Sequence, residues 1–184
     1  MSPAPSTVGT TVVGVALPVP APWGEQIQRL RVGYGEQRAQ EIPTHITLLP
    51  PTPVDPGMVE ELRRHLATVA ATCPPFEVVL RGTGTFRPVS EVVYLQVAQG
   101  VSSCERLQSA VREGPLQREL SFPYHPHVTL AHDVDGVALD RAFEDQAAFT
   151  ATYTADVFRL YVHRGDEVWQ VVEDFALTGR SEEV

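Results

Sequence analysis

The tetrapeptide His-x-Thr-Leu occurs twice in this chain, as His45-Ile46-Thr47-Leu48 within "THITLLPP" and as His127-Val128-Thr129-Leu130 within "HPHVTLAHD". Both copies sit in apolar, β-branched surroundings that favour strands. Successive side chains of a strand point to opposite faces, so each copy sets an imidazole and a hydroxyl on one face and two aliphatic groups on the other. The aliphatic face packs on helices. The polar face needs water or a partner, because a buried polar group left unpaired is costly. Six His, 15 Thr and 15 Leu in 184 positions would yield about 0.04 copies by chance, so the pair is a signal beyond strand composition. Two strands of this kind direct the chain toward a layered fold in which both polar faces meet in one cleft.

The segments around the two motifs follow a similar order. A strand is expected over Val8–Leu17 and a helix in "PWGEQIQRLRVGYG", where Ile27, Leu30 and Tyr34 share a face. After the strand "HITLL", Asp55 can cap a helix with Val59, Leu62, Leu66 and Val69 as its stripe, ended by Cys73-Pro74-Pro75. "FEVVLRGTGTF" and "EVVYLQVA" read as strands joined by a Gly-containing loop. A helix in "CERLQSAVREG", the strand "HVTLA" and a helix in "LDRAFEDQAA" follow. "FTATYTADVFRLYVHRG" and "DEVWQVVEDFAL" close the chain as strands around an Arg164-Gly165-Asp166 turn. The prolines at 50, 51, 53 and 56 read as loop punctuation.

Each motif is followed by Val-Asp (54-55 and 134-135), a helix, a Phe-led strand (Phe76, Phe149) and a Val-rich strand (Val92-Val93, Val171-Val172). This weak duplication predicts an α+β fold: bilobed, with two pseudo-symmetric antiparallel sheets flanked by helices and a cleft between the lobes. The expected organisation is a flexible leader over 1–7, one bilobed domain over 8–178 and an acidic tail over 179–184.

The formal net charge of -9 repels polyanions and argues against sequence-independent binding to duplex DNA, yet a single phosphate needs only a few placed donors. Two cysteines, Cys73 and Cys104, are too few for a disulfide framework or a cysteine-built zinc site. No apolar run reaches membrane-spanning length, and "MSPAPSTVG" lacks the pattern of a signal peptide. The expectation is a cytoplasmic chain, able to act as a monomer, with no membrane partner.

Two imidazoles and two hydroxyls around one centre form a sensible set for splitting a phosphodiester. A neutral histidine can take a proton from the attacking oxygen while a protonated one gives a proton to the leaving oxygen, both states being accessible near neutral pH. The threonines can donate to the non-bridging oxygens as charge builds on them. This arrangement requires neither metal nor cofactor.

The two motifs, and the "FPYHPHVTLA" context of the second, resemble the two-histidine (2H) phosphoesterase superfamily, which includes bacterial proteins called 2'-5' RNA ligase or LigT-like and RNA 2',3'-cyclic phosphodiesterases. The resemblance spans roughly Val8 to Leu177. It implies a bilobed α+β fold, metal-independent catalysis by His45 and His127, phosphate binding by Thr47 and Thr129, and action on 2',3'-cyclic phosphate ends of RNA or small nucleotides or on 2'-5' linkages. The alternatives are 2'-5' RNA ligation and a non-catalytic module that binds a nucleotide or RNA end. The chain departs from the pattern at His132, where RNA-acting members often carry Arg, and at the Pro50-Pro51 pair after the first motif.

Arg87 is a further candidate for a phosphate or base contact, and Phe86 and Tyr124 are candidates for stacking on a nucleobase, each weighed against an ordinary surface or core role. His125 reads as a structural neighbour of His127, since no third ligand accompanies the pair to make a metal site. His65 is expected on the solvated face of its helix and His163 exposed beside a turn. "GTGTF" lacks the Gly-Lys-Ser/Thr end of a triphosphate-binding loop.

Overall fold

The computed structural model describes residues 11–37, 39–117, 122–163 and 169–180. The leader over 1–7, the Arg164-Gly165-Asp166 turn and residues 181–184 of the tail lie outside them. Eight strands and four α-helices follow in the order β1 (Thr11–Pro18), α1 (Trp23–Gly33), β2 (His45–Val54), α2 (Val59–Thr72), β3 (Phe76–Thr85), β4 (Val92–Gln99), α3 (Val101–Val111), β5 (His127–His132), α4 (Gly136–Asp145), β6 (Thr150–Ala155), β7 (Val157–His163) and β8 (Trp169–Ala176).

The expected two sheets are one. All eight strands form a single antiparallel sheet in the order β6-β3-β4-β5-β2-β1-β7-β8, curled and flanked by helices in an α+β fold. The two motif strands, β5 and β2, are neighbours at its centre, joined where Ile46 lies opposite Val128. Pseudo-symmetry survives as two half-sheets meeting at this seam, but the halves are not consecutive in sequence. The chain builds β1 and β2, crosses to lay down β3 through β6, and returns for β7 and β8. Both Phe-led strands therefore fall in the same half, with Phe76 opposite Ala155.

Residues 150–163, expected as one strand, divide at Asp156. Its carbonyl accepts from the Leu177 amide at 2.8 Å, and the flanking pieces lie in opposite halves. Local pattern cannot register such a switch, because both pieces alternate buried and outward residues as one strand would. "GTGT" likewise lies inside β3, where the register shifts between Leu80 and Thr83, and is not a loop.

Strand β2 continues through Pro50, Pro51 and Pro53 to Val54, paired with β1 on either side of a register irregularity that holds Pro50 and Pro51, while its pairing to β5 is confined to Ile46. Proline removes an N–H donor, which a strand tolerates on an open edge or at a bulge, and consecutive Pro50 and Pro51 use both, since their nitrogens face opposite edges. The prolines thus mark where β2 leaves β5.

Ile46, Leu48, Val128 and Leu130 are fully buried, whereas His45, Thr47, His127 and Thr129 are half-buried, so the alternation places them on opposite faces as expected. Helix α1, from the β1 half, packs against β5; α3, from the β4 half, packs against β2. This exchange locks the halves together across a seam that strand pairing alone holds weakly. Asp55 caps a short turn leading into α2 by accepting from Gly57 N at 2.8 Å, and Asp135 caps α4 by accepting from Ala138 N at 2.8 Å. His65 is not on a solvated face; its Nε2 lies 3.1 Å from the Ala110 carbonyl and 3.2 Å from that of Val111, linking α2 to the end of α3.

Candidate active site

Antiparallel pairing of Ile46 with Val128 fixes what faces what on the polar side of the seam. One step along each strand in opposite directions sets His45 against Thr129 and Thr47 against His127. Each imidazole therefore shares its side with the hydroxyl of the other motif. The cavities show the same crossing. His45 and Thr129 border a cavity of 340 Å³ that also includes Arg31, Glu36, Tyr161 and Trp169. His127 borders a second, of 730 Å³, with Phe86, Tyr124 and His125. Thr47 lines both, so the two spaces meet at the motif residues.

The imidazoles are held alike. His45 Nδ1 lies 2.6 Å from the Pro43 carbonyl, and His127 Nδ1 lies 2.8 Å from the His125 carbonyl. A carbonyl can only accept, so Nδ1 donates in both and the neutral ring carries its lone pair on Nε2. Desolvation pulls His45 below the usual histidine range; the Pro43 hydrogen bond opposes this, Arg31 adds to it and Glu36 counters. His127 is lowered by desolvation, opposed by the His125 carbonyl, and lowered further by electrostatic interaction with the neighbouring His125 and His45 imidazoles. Both imidazoles are thus disposed to be neutral, each able to charge when an anion arrives.

The walls of the second cavity are aromatic. The Phe86 ring stands edge-on to His127 with centroids 4.9 Å apart, and the Tyr94 centroid is 5.2 Å from His127. Tyr94 can lie there because Gly84 faces it: a Cβ on Gly84 would come within 2.6 Å of the tyrosine ring. Tyr124 donates from its hydroxyl to the Thr47 carbonyl at 3.0 Å, fixing the backbone that carries the hydroxyl of Thr47.

Of the residues singled out from sequence, the fold gathers His45, Thr47, His127, Thr129, Phe86 and Tyr124. It does not gather Arg87, whose Nη2 pairs with Asp140 Oδ1 at 2.8 Å and which lines neither cavity. His163 is half-buried with its ring 5.4 Å from that of Trp169, and so is not simply exposed. Among the described residues, no group of three or more His, Cys, Asp or Glu gathers to hold a metal. No helix among them is long and apolar enough to cross a membrane.

Sequence reasoning missed the buried pair Arg31–Glu36. Arg31 Nη2 meets Glu36 Oε1 at 2.7 Å and Nε meets Oε2 at 3.1 Å, while Nη1 donates to the Ile42 carbonyl at 2.7 Å. The pair therefore anchors the segment whose next residue, Pro43, orients His45. A signal was present: Arg31 is one turn beyond Ile27 and three residues before Tyr34, on the apolar stripe of α1 where a solvated charge does not belong. Tyr161 and Trp169 had no comparable signal, since a strand gives no hint of which cavity its residues will border.

A curled antiparallel sheet with a doubled His-x-Thr on its central strands is the architecture of two-histidine phosphoesterases. The chain belongs to the 2'-5' RNA ligase superfamily, whose family model matches residues 18–168. It is similar to a "Putative phosphoesterase" of Geobacillus kaustophilus, 27% identical over 141 residues covering 76% of this chain and 81% of the relative, and to another so named from Oceanobacillus iheyensis, 26% identical over 159 residues covering 83% and 90%. Its fold is similar to that of Escherichia coli LigT crystallised with 3'-AMP, with a TM-score of 0.63 and 23% identity over 92% of this chain and 99% of that one. The LigT complex with NADP+ gives a TM-score of 0.63, 24% identity and the same coverage.

Proposed function

We propose that this protein is a phosphoesterase that hydrolyses phosphodiesters by two-histidine acid–base catalysis, acting on 2',3'-cyclic phosphate ends of RNA or small nucleotides or on 2'-5' linkages. The observation that carries the reading is the crossed arrangement of His45 with Thr129 and Thr47 with His127 on one face of the seam. A phosphate placed there meets an imidazole Nε2 on either side and a hydroxyl beside each.

In the reaction the neutral imidazole takes a proton from water as its oxygen attacks phosphorus. The bond from phosphorus to the leaving oxygen breaks, and the protonated imidazole delivers its Nε2 proton to that oxygen. The threonine hydroxyls donate to the non-bridging oxygens while charge builds on them. The two histidines end with exchanged protonation states, which solvent restores. Every proton is accounted for without a metal or cofactor.

The nucleotides found with E. coli LigT, 3'-AMP and NADP+, suit a cleft lined by Phe86, Phe122 and Tyr124. These 184 residues contain no lysine, so a lysyl-nucleotide of ATP-driven ligation has no residue on which to form. Ligation by this chain would be the reverse of the same cleavage.

The test is turnover of a 2',3'-cyclic nucleotide. Purified protein should open it to a monophosphate, and His45→Ala and His127→Ala should each lower turnover by roughly 100- to 10,000-fold while retaining the wild-type circular dichroism spectrum. Binding of the cyclic nucleotide without product would instead identify a binding module.

A further inference from the structure

The 730 Å³ cavity is poor in charge. Apolar and aromatic side chains make most of its wall, Phe86, Phe122 and Tyr124 among them, and its described lining residues include no lysine, arginine or carboxylate. The chain contains no lysine at all, and Arg87, next to Phe86, is paired with Asp140 at 2.8 Å. Among the described lining residues, two side chains can still become cationic, His127 and His125. His127 is engaged with the reacting phosphate, which leaves His125 to meet any further negative charge that a ligand brings into this space.

His125 is placed for that role. Its carbonyl accepts the Nδ1 proton of His127 at 2.8 Å, which ties the backbone at 125 to the reacting imidazole. Its exposed ring lies 6.3 Å from the His127 ring and within 25° of parallel to it. Phe86 stands edge-on to it at 5.7 Å and Tyr94 at 5.4 Å. These neighbours hold the ring by packing and leave its nitrogens open, since neither has a hydrogen-bond partner among the described residues. Tyr94, Tyr124 and His127 are the titratable groups that face it or line this cavity among the described residues, and a phenol brings no negative charge near neutral pH. A histidine gains its proton in that range, and an anion beside it favours the charged form. The gap between the two imidazoles is one that a single ribose and its ester oxygens can bridge.

We propose that His125 is a specificity-determining residue that receives a second phosphate of the substrate, the one on the 5' side of the nucleotide whose cyclic phosphate is opened. The preferred substrate class is then a phosphorylated chain end and not a free nucleoside cyclic phosphate. This rests on the phosphoesterase reading, which puts the reacting phosphate between the two motifs. A role in ring packing alone would be kept by any aromatic side chain and would not respond to charge on the substrate.

The experiment compares adenosine 2',3'-cyclic phosphate with the same nucleotide bearing a 5'-methyl phosphate, whose ester keeps one negative charge at every pH used. Wild type should favour the 5'-phosphorylated substrate about tenfold in kcat/KM at about pH 6, the effect of one charge-assisted hydrogen bond. The preference should shrink toward about pH 8, as the imidazole loses its proton. Both substrates need His45 and His127, so the titration of those two cancels in the ratio. His125→Phe, which keeps the ring packing, should bring the ratio close to one at either pH. His125→Arg, permanently charged, should keep the preference and remove its pH dependence. A wild-type ratio near one at pH 6, or a preference that survives in His125→Phe, would overturn the assignment.

Calorimetric binding of adenosine 2'-monophosphate, with and without the 5'-methyl phosphate, separates this contact from the chemistry. If neither cyclic compound is hydrolysed but the 5'-phosphorylated ligand binds about tenfold tighter to wild type, and no tighter to His125→Phe, the contact stands and the phosphoesterase reading falls. If both cyclic compounds are hydrolysed equally well and the two ligands bind alike, the contact is refuted and the phosphoesterase reading stands.

Discussion

Ile46 of β2 lies opposite Val128 of β5 at the centre of the sheet, both with no exposed surface. This one pairing sets the register of the two His-x-Thr motifs, and a slip of one residue would turn one motif's imidazole and hydroxyl into the core. It also makes the site interdependent: neither strand supplies an imidazole and its facing hydroxyl by itself.

The crossed geometry predicts how the threonines behave. Thr47→Val and Thr129→Val should each lower kcat on a cyclic nucleotide by roughly 10- to 100-fold, as removal of one oxyanion donor commonly costs at least this much. The histidine variants should lose more, on the order of 100- to 10,000-fold. Steady-state kinetics on all four variants checks this. Unchanged kcat in both threonine variants would remove them from phosphate binding.

The pH profile of kcat/KM should be bell-shaped, with its acid limb displaced below the ordinary histidine value of about 6.5, because desolvation lowers both His45 and His127. The same shifts affect stability with a definite sign. Between the folded and unfolded pKa values the unfolded chain binds more protons, so this contribution is present above about pH 6.5 and is lost as pH falls through the folded values. Chemical denaturation across that range should show less stability at the acid end in wild type, and a smaller loss in a His45→Gln, His127→Gln double variant.

The Arg31–Glu36 pair should be needed for both folding and orientation. Side chains at 4% and 7% exposure hold a two-bonded pair, and stranding one buried charge typically costs about 3 to 5 kcal/mol. Arg31→Met and Glu36→Gln should therefore both lower stability in denaturant titrations. They should move the His45 titration oppositely: Glu36 left alone favours the imidazolium, and Arg31 left alone disfavours it. Proton NMR of the imidazole can read this without any substrate, and shifts of the same sign would contradict the electrostatic contact.

The interlocked halves should unfold together. Since α1 packs on β5 and α3 on β2, calorimetry should show one transition despite the two-part architecture. Ile46→Ala should lower stability by about 2 to 5 kcal/mol, the usual cost of truncating a fully buried isoleucine. Two resolved transitions would show that the seam does not couple the halves.

A chelator should leave turnover unchanged, since the proposed proton transfers close on two imidazoles. Loss of activity in EDTA, restored by a divalent ion, would redirect the mechanism.

The sequence by itself picked out the four motif residues of the candidate site and most of the local elements. Alternation in "HITL" and "HVTL" separates polar from aliphatic faces with a period of two, and this is a property of any strand wherever it lies. The stripe of α2 and the Asp55 cap ahead of it were legible for the same local reason. What the tertiary structure decided was adjacency. The split at Asp156, the placement of β3 and β6 in one half and the merging of two expected sheets into one depend on which strand edges pair, and similar alternating segments can pair in several orders. Prolines 50, 51 and 53 read as loop residues, yet β2 carries them because its edge toward β5 is open there and its register with β1 shifts at Pro50-Pro51, so the missing N–H groups cost little. Arg87 looked available until the fold placed Asp140 beside it, whereas Arg31, Glu36, Tyr161 and Trp169 came to the cavity through contacts distant in sequence. Local patterns repeat along the chain, but the solvation and partner of a charged or aromatic side chain belong to one three-dimensional position.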